Sequence, residues 1–123
     1  MLDHVGLNVR DYAASRAFYE RALKPLGYRV VMGGEDWKGA GFGGADKPEF
    51  WIVEREPATT GTHVAFHCRD HATVDAFHAA ALAAGGTDNG TPGVRAHYHP
   101  SYYGAFVLDP DGNNIEAVCH APP

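Results

Sequence analysis

No run of the chain approaches the roughly 18 consecutive apolar side chains that a membrane-crossing helix needs. Basic residues are few and scattered: 10 Lys and Arg stand against 15 Asp and Glu, for a formal net charge of -5. That balance provides no electrostatic footprint for nucleic acid or an anionic membrane surface, so a small molecule is the expected partner, with no nucleic acid and no membrane. The opening "MLDHVGLNVRDY" lacks the basic stretch followed by an apolar one that marks a secretory signal, and the expected location is cytoplasmic. Cysteine is scarce as well. Cys68 and Cys119 are the only two; without a secretory context they read as reduced, small hydrophobes on buried strands rather than as a disulfide.

What the chain does contain is enough for one domain. Its 123 residues, 45% of them apolar, can bury a core without disulfide or metal staples. Within that domain the sequence repeats. Displaced by 59 positions it pairs His4 with His63, Val5 with Val64, Arg10 with Arg69, Asp11 with Asp70, and onward to Gly27 with Gly86, giving ten identities over positions 4 to 27. Chance does not produce that density in so short a chain, so the molecule is two copies of one unit.

Each copy opens with a short alternating run and continues with apolar residues at helical spacing: Ala14, Ala17, Phe18 and Ala22, then Val74, Phe77, Ala81 and Ala84. Asp11 and Asp70 stand where helix N-caps belong, and Gly27 and Gly85-Gly86 where the helices should stop. Strand-like runs broken by Gly, Pro and Asp follow: "YRVVMGG", "GAGFGG" and "EFWIVER" in the first copy, "VRAHYH", "YGAFVLD" and "NNIEAVC" in the second. The expected fold is therefore α+β, with two tandem βαβββ modules, about 1–57 and 61–121. They form a curved, partly open sheet around a ligand or metal cavity, with helices on the outer face. "GGEDWKGAGFGG" does not end in Gly-Lys-Ser/Thr and no helical pattern follows it, so it reads as hairpin loops rather than a phosphate cradle. "DPDGNN" reads as a tight turn.

Strand alternation then sorts side chains by face. Val5, Leu7 and Val9 form the face that helices should cover, which leaves His4, Gly6 and Asn8 on the other. In the second copy the uncovered face carries His63, Ala65 and His67, and on the last strand Asn114, Glu116 and Val118. Two imidazoles and a carboxylate, His4, His63 and Glu116, make the ligand set of one divalent metal ion such as Zn, Fe, Ni or Mn, with coordination positions left open for a substrate. A lone strand histidine is more often a satisfied polar residue. Recurrence at equivalent points of a repeat, with a carboxylate of matching parity, favours the metal.

These motifs, "DHVGLNVRD" with "FYERAL" after it and "FVLDPDGNNIEAV", resemble the vicinal oxygen chelate superfamily, which includes glyoxalase I, extradiol dioxygenases, and fosfomycin- and bleomycin-resistance proteins. The resemblance spans essentially the whole chain. It implies a metal held by His4, His63 and Glu116, and it implies a homodimer whose site is built within one chain or shared between two. Aligning "EFWIVER" with "NNIEAVC" puts Trp51, which cannot ligate, opposite Glu116, where glyoxalase I has another ligand. Glu49 shares the parity of Trp51. The activity implied is that of a metal-dependent lyase or isomerase on a small oxygenated metabolite chelated through neighbouring oxygens. An extradiol-type Fe(II) dioxygenase and a metal-free drug-binding protein are the alternatives. Candidates for proton transfer are Glu116, His67, Tyr103 and His99. Trp51, Asn8, Tyr102 and His97 are candidates for substrate contact, with the aromatic loop "HYHPSYYGAF" supplying wall and hydroxyl.

Overall fold

The structure, a computed structural model, describes all 123 residues. In chain order the elements are β1 (Val5–Val9), α1 (Tyr12–Ala22), β2 (Arg29–Gly34), β3 (Gly39–Gly43), β4 (Phe50–Glu54), β5 (His63–His67), α2 (His71–Ala83), β6 (Thr87–Val94), β7 (Tyr103–Leu108) and β8 (Asn114–Cys119). The two βαβββ modules each make a four-stranded sheet, ordered β1-β4-β3-β2 and β5-β8-β7-β6. In both, the first strand pairs in parallel with the last and the remaining pairs are antiparallel. The fold is α+β, and neither sheet closes on itself. No helix is long and apolar enough to cross a membrane.

The local signals act where the sequence places them. Asp11 accepts a hydrogen bond from the Ala14 N–H and Asp70 from that of Thr73, so each helix begins on a carboxylate that satisfies an otherwise unpaired backbone donor. After α1 the chain makes one 3-10 turn, Lys24–Leu26, and leaves it at Gly27 with φ 81°, a left-handed conformation that glycine adopts without a Cβ clash. The "DPDGNN" turn is organised by Asp109. Its buried carboxylate accepts from the backbone N–H of Asp111 (2.9 Å) and Asn113 (2.8 Å), from the Asn113 amide (3.0 Å) and from the Tyr19 hydroxyl (2.5 Å). Tyr19 belongs to α1, so this turn ties the second module to the first.

One expectation fails in the second module. The segment "VRAHYH" is not a strand: β6 lies earlier, at Thr87–Val94, and residues 95–101 form a turn-rich loop. The run "TDNGTPGV" carries a Gly and a Pro that argue against a strand, yet β6 is an edge strand with register shifts around Gly90, where both residues are tolerated. The Arg95 guanidinium donates back to the carbonyls of Gly93 (2.9 Å) and Thr91 (2.7 Å), which turns the chain away after Val94.

A single core joins the modules. Leu7, Val9, Phe42, Phe50 and Ile52 from the first sheet share it with Phe66, Val107, Ile115 and Ala117 from the second, along with Phe18, Tyr19, Val74 and Phe77 from the helices. All the strand residues among these point to the helix-covered faces. Within one chain, the opposite faces carry the candidate functional side chains and no helix.

Candidate active site

Strand register gives the two open faces a shared geometry. Gly6 on β1 pairs with Trp51 on β4, and Ala65 on β5 pairs with Glu116 on β8. Since 6 and 65 are equivalent in the repeat, Trp51 and Glu116 occupy equivalent places. The two modules offer one position to a carboxylate in one case and an indole in the other.

On the second module Glu116 is fully buried, although it faces the uncovered side of the sheet. A buried carboxylate needs partners to remain tolerable. It has two: Oε1 lies 2.8 Å from His63 Nε2, and Oε2 accepts the hydroxyl of Tyr102. Gly104, on the neighbouring strand, leaves the room for this approach, because a Cβ there would meet both Glu116 Oε2 and the Tyr102 ring at 3.1 Å. Burial and the adjacent carboxylate push the Tyr102 phenol upward, so it keeps its proton and donates. The His63 side chain remains 50% exposed, which leaves that pair reachable from outside.

Further along the same face a group of rings gathers around His120. His67 stacks on it at 6.0 Å with planes 16° apart, His99 meets it edge-on at 5.6 Å, and Tyr102 edge-on at 5.3 Å. The strand pattern did carry a signal for His120: it continues the parity of Glu116 and Val118, one residue beyond β8.

On the first module His4 is exposed, with Nδ1 2.7 Å from the Asp3 carboxylate, which is held below its ordinary value by that contact and by Lys47. A histidine oriented by a carboxylate at Nδ1 presents Nε2 outward, the arrangement common behind metal-ligating imidazoles. His4 does not meet His63 or Glu116 within the chain, and no three His, Cys, Asp or Glu side chains come together as a metal-holding group. It shares instead a cavity of about 300 Å³ with His67, Glu49 and Tyr28, between β1 and β5 over a floor that includes Phe50 and Phe66. Glu49 there accepts from the Tyr28 hydroxyl at 3.1 Å.

The remaining candidates divide. Trp51 is half-buried on the open face, its ring 6.3 Å from that of Trp37 at the β2–β3 hairpin, a second tryptophan that sequence reasoning passed over as part of a glycine-rich loop. Asn8 lies on the open face but its amide reaches the Pro57 carbonyl at 3.3 Å, where it steadies the link between modules. His97 is exposed against the Tyr98 ring at 4.1 Å, and Tyr98 in turn meets the Tyr102 ring edge-on at 5.0 Å. Tyr103 requires correction as a candidate for proton transfer. It points to the helix side, stacked on His71 at 3.9 Å with its hydroxyl donating to Asp75 on α2 at 2.6 Å. The alternation that puts Tyr102 beside Glu116 sends its neighbour through to the other face.

Comparison with known proteins agrees with this architecture. A glyoxalase/bleomycin resistance protein from Albidiferax ferrireducens T118 is 32% identical, with a TM-score of 0.81 over 97% of this chain and 98% of that one. The same fold recurs at lower identity. A glyoxalase/bleomycin resistance protein/dioxygenase family enzyme from Burkholderia phytofirmans PsJN is 21% identical, with a TM-score of 0.71 over 97% and 98% of the two chains. A lactoylglutathione lyase from Agrobacterium tumefaciens is 18% identical, with a TM-score of 0.68 over 97% and 92%. Among curated proteins none matches the sequence significantly. The sequence profile of the Glyoxalase/Bleomycin resistance protein/Dioxygenase superfamily matches residues 1–117, and the chain belongs to that superfamily.

Proposed function

We propose that the chain is a metal-dependent, glyoxalase-like lyase or isomerase acting on a small oxygenated metabolite held through two neighbouring oxygens. The observation that carries this is Glu116, a fully buried carboxylate on an uncovered sheet face, paired with an imidazole at 2.8 Å. His63 Nε2 and Glu116 Oε1 are close enough to serve one divalent cation together, and His4, with Nε2 free behind its Asp3 contact, supplies a third donor of the right chemistry. Since His4 stands apart from the other two in one chain, the site is completed between two copies, the first module of each facing the second module of the other. The uncovered sheet faces of the single chain favour such a homodimer.

His4, His63 and Glu116 would hold the cation, which would supply Lewis-acid stabilisation of developing negative charge on the substrate's adjacent oxygens. The chain's own residues then move the proton. Glu116 accepts it at Oε1 or Oε2, Tyr102 holds its phenolic proton toward the same carboxylate, and His67 and His99 stand along the face as relays. With Tyr103 on the helix side, Tyr102 is the hydroxyl donor.

A second reading, a metal-free small-molecule binding protein, draws support from a separate feature: both Glu116 oxygens already have partners inside the chain, and Trp51 fills the equivalent position. Metal content separates the two. Protein prepared without chelator is expected to hold one divalent ion per site, with most of it lost in both His4→Ala and Glu116→Ala. No stoichiometric metal under any loading would sink the enzyme reading. Oxygen uptake with Fe(II) would reassign the activity to a dioxygenase, whereas turnover without oxygen supports the lyase or isomerase.

A further inference from the structure

The two tryptophans of this chain both stand on the open face of the first sheet, and the backbone beneath them is bare. Trp51 has Gly6 opposite it on one neighbouring strand and Gly41 on the other. A Cβ at Gly41 would come within 2.9 Å of the Trp51 ring. Trp37 lies over the paired residues Gly34 and Gly39, where a Cβ would come within 2.3 Å and 2.0 Å of its ring. Glycine weakens a strand, so the three glycines directly below the two indoles, Gly34, Gly39 and Gly41, carry a stability cost. Packing within the chain does not account for it, because Trp37 remains 49% exposed there. The ring centroids are 6.3 Å apart and the planes 47° apart, a separation and tilt within which a third flat ring can stack on one indole and present its edge to the other.

We infer that Trp37 and Trp51 form an aryl-binding subsite, and that the substrate carries an uncharged aromatic ring attached to its pair of neighbouring oxygens. This rests on the reading that the open faces of the two modules together form the substrate site, with one face supplying the apolar wall and the other Glu116. It deepens that reading by assigning the substrate class. The exposed carboxylate of Asp36 beside Trp37 disfavours an anionic ring at that end, so the charged part of the substrate lies toward His63.

Because the chain has no other tryptophan, its tryptophan emission, excited selectively over that of its six tyrosines, reports on this subsite alone. The dimeric protein is titrated with lactate, and with mandelate and 3-phenyllactate, which present the same neighbouring oxygens with a phenyl group added. Both indoles contribute to ring contact, so at least one aryl compound should quench the emission saturably and bind about tenfold or more tighter than lactate. Trp37→Ala and Trp51→Ala should each remove most of that preference for the aryl compounds over lactate, while Trp51→Phe should retain it. No quench by either aryl compound, no preference over lactate, or a preference that survives both alanine substitutions would overturn the assignment. Metal is measured on the same samples. A metal-free protein that keeps the aryl preference would remove the enzyme reading and leave the subsite standing; a metal-loaded protein without the preference would do the reverse.

Discussion

Tyr102 and Tyr103 are adjacent in sequence and chemically identical, yet alternation delivers one hydroxyl to a buried carboxylate and the other to a surface aspartate. Their substitutions should therefore separate by kind of effect. Tyr102→Phe removes a donor from Glu116 and should lower turnover by about 100-fold, within the range for loss of a proton-transfer partner. Tyr103→Phe loses one exposed hydrogen bond, worth about 1 kcal/mol or less, and should leave turnover near that of the unchanged protein. Steady-state kinetics beside thermal melts on the two variants test this. Equal losses of activity would mean that the loop reaches the substrate by a different route. Much at this scale was legible in the sequence: the parity of His63 and Glu116, the equivalence of Trp51 with Glu116, and the caps at Asp11 and Asp70 all follow from period and repeat. The face of Tyr103 follows from the same alternation, since "YGAFVLD" gives it the parity of Ala105 and Val107; what no local pattern shows is that Asp75 on α2 lies within reach of its hydroxyl.

Among the elements, the turn between β7 and β8 holds the most concentrated set of polar contacts. Asp109 accepts from two backbone amides, a side-chain amide and the Tyr19 hydroxyl, all in buried surroundings. Burial and the nearby Asp109 and Asp111 carboxylates push the Tyr19 phenol well up, so it remains a donor. Asp109→Ala strands these donors, and each buried donor left unpaired costs about 1–3 kcal/mol, so the variant should lose roughly 3 kcal/mol or more in denaturant unfolding. Tyr19→Phe should cost less, since it leaves the turn's backbone contacts in place. The sequence marked this turn through Pro110 and Gly112 but gave no sign that α1 was tied to it, because a contact between residues 19 and 109 has no local signature. The same limit hid the relation of His4 to His63. Periodicity assigns a residue to a face, and only the packing of one module on the other decides which faces meet.

For the molecule as a whole, acid and alkali should each destabilise the fold through identifiable groups. Asp88 is held below its ordinary 3.8 by the His78 contact. Asp70 is depressed by the Thr73 hydroxyl, again from 3.8. Glu54 is depressed from 4.5 by the Tyr12 backbone N–H. Groups lowered on folding bind fewer protons in the native state than in the unfolded chain, so their contribution is complete above the ordinary values and is lost as pH falls through the depressed ones. Tyr28 acts in the opposite direction. Burial and Glu49 raise it to about 12 from 10.0, so its contribution is complete below pH 10 and is lost as pH rises toward 12. Unfolding followed from pH 2 to 12 should show a plateau between these edges, and Asp88→Asn should flatten part of the acid edge.

The central claim at this scale is that two chains together build the metal site, His4 from one and His63 with Glu116 from the other. It is tested most directly by mixing two inactive variants, His4→Ala and Glu116→Ala, refolded together so that chains redistribute. Each heterodimer then contains one site with all three donors and one with neither half intact, and random pairing makes about half of the dimers heterodimers. The account predicts that metal content and activity, near zero in either variant alone, return in the mixture to about a quarter of the level of the unchanged protein. A mixture that stays as inactive and metal-free as its components would contradict it.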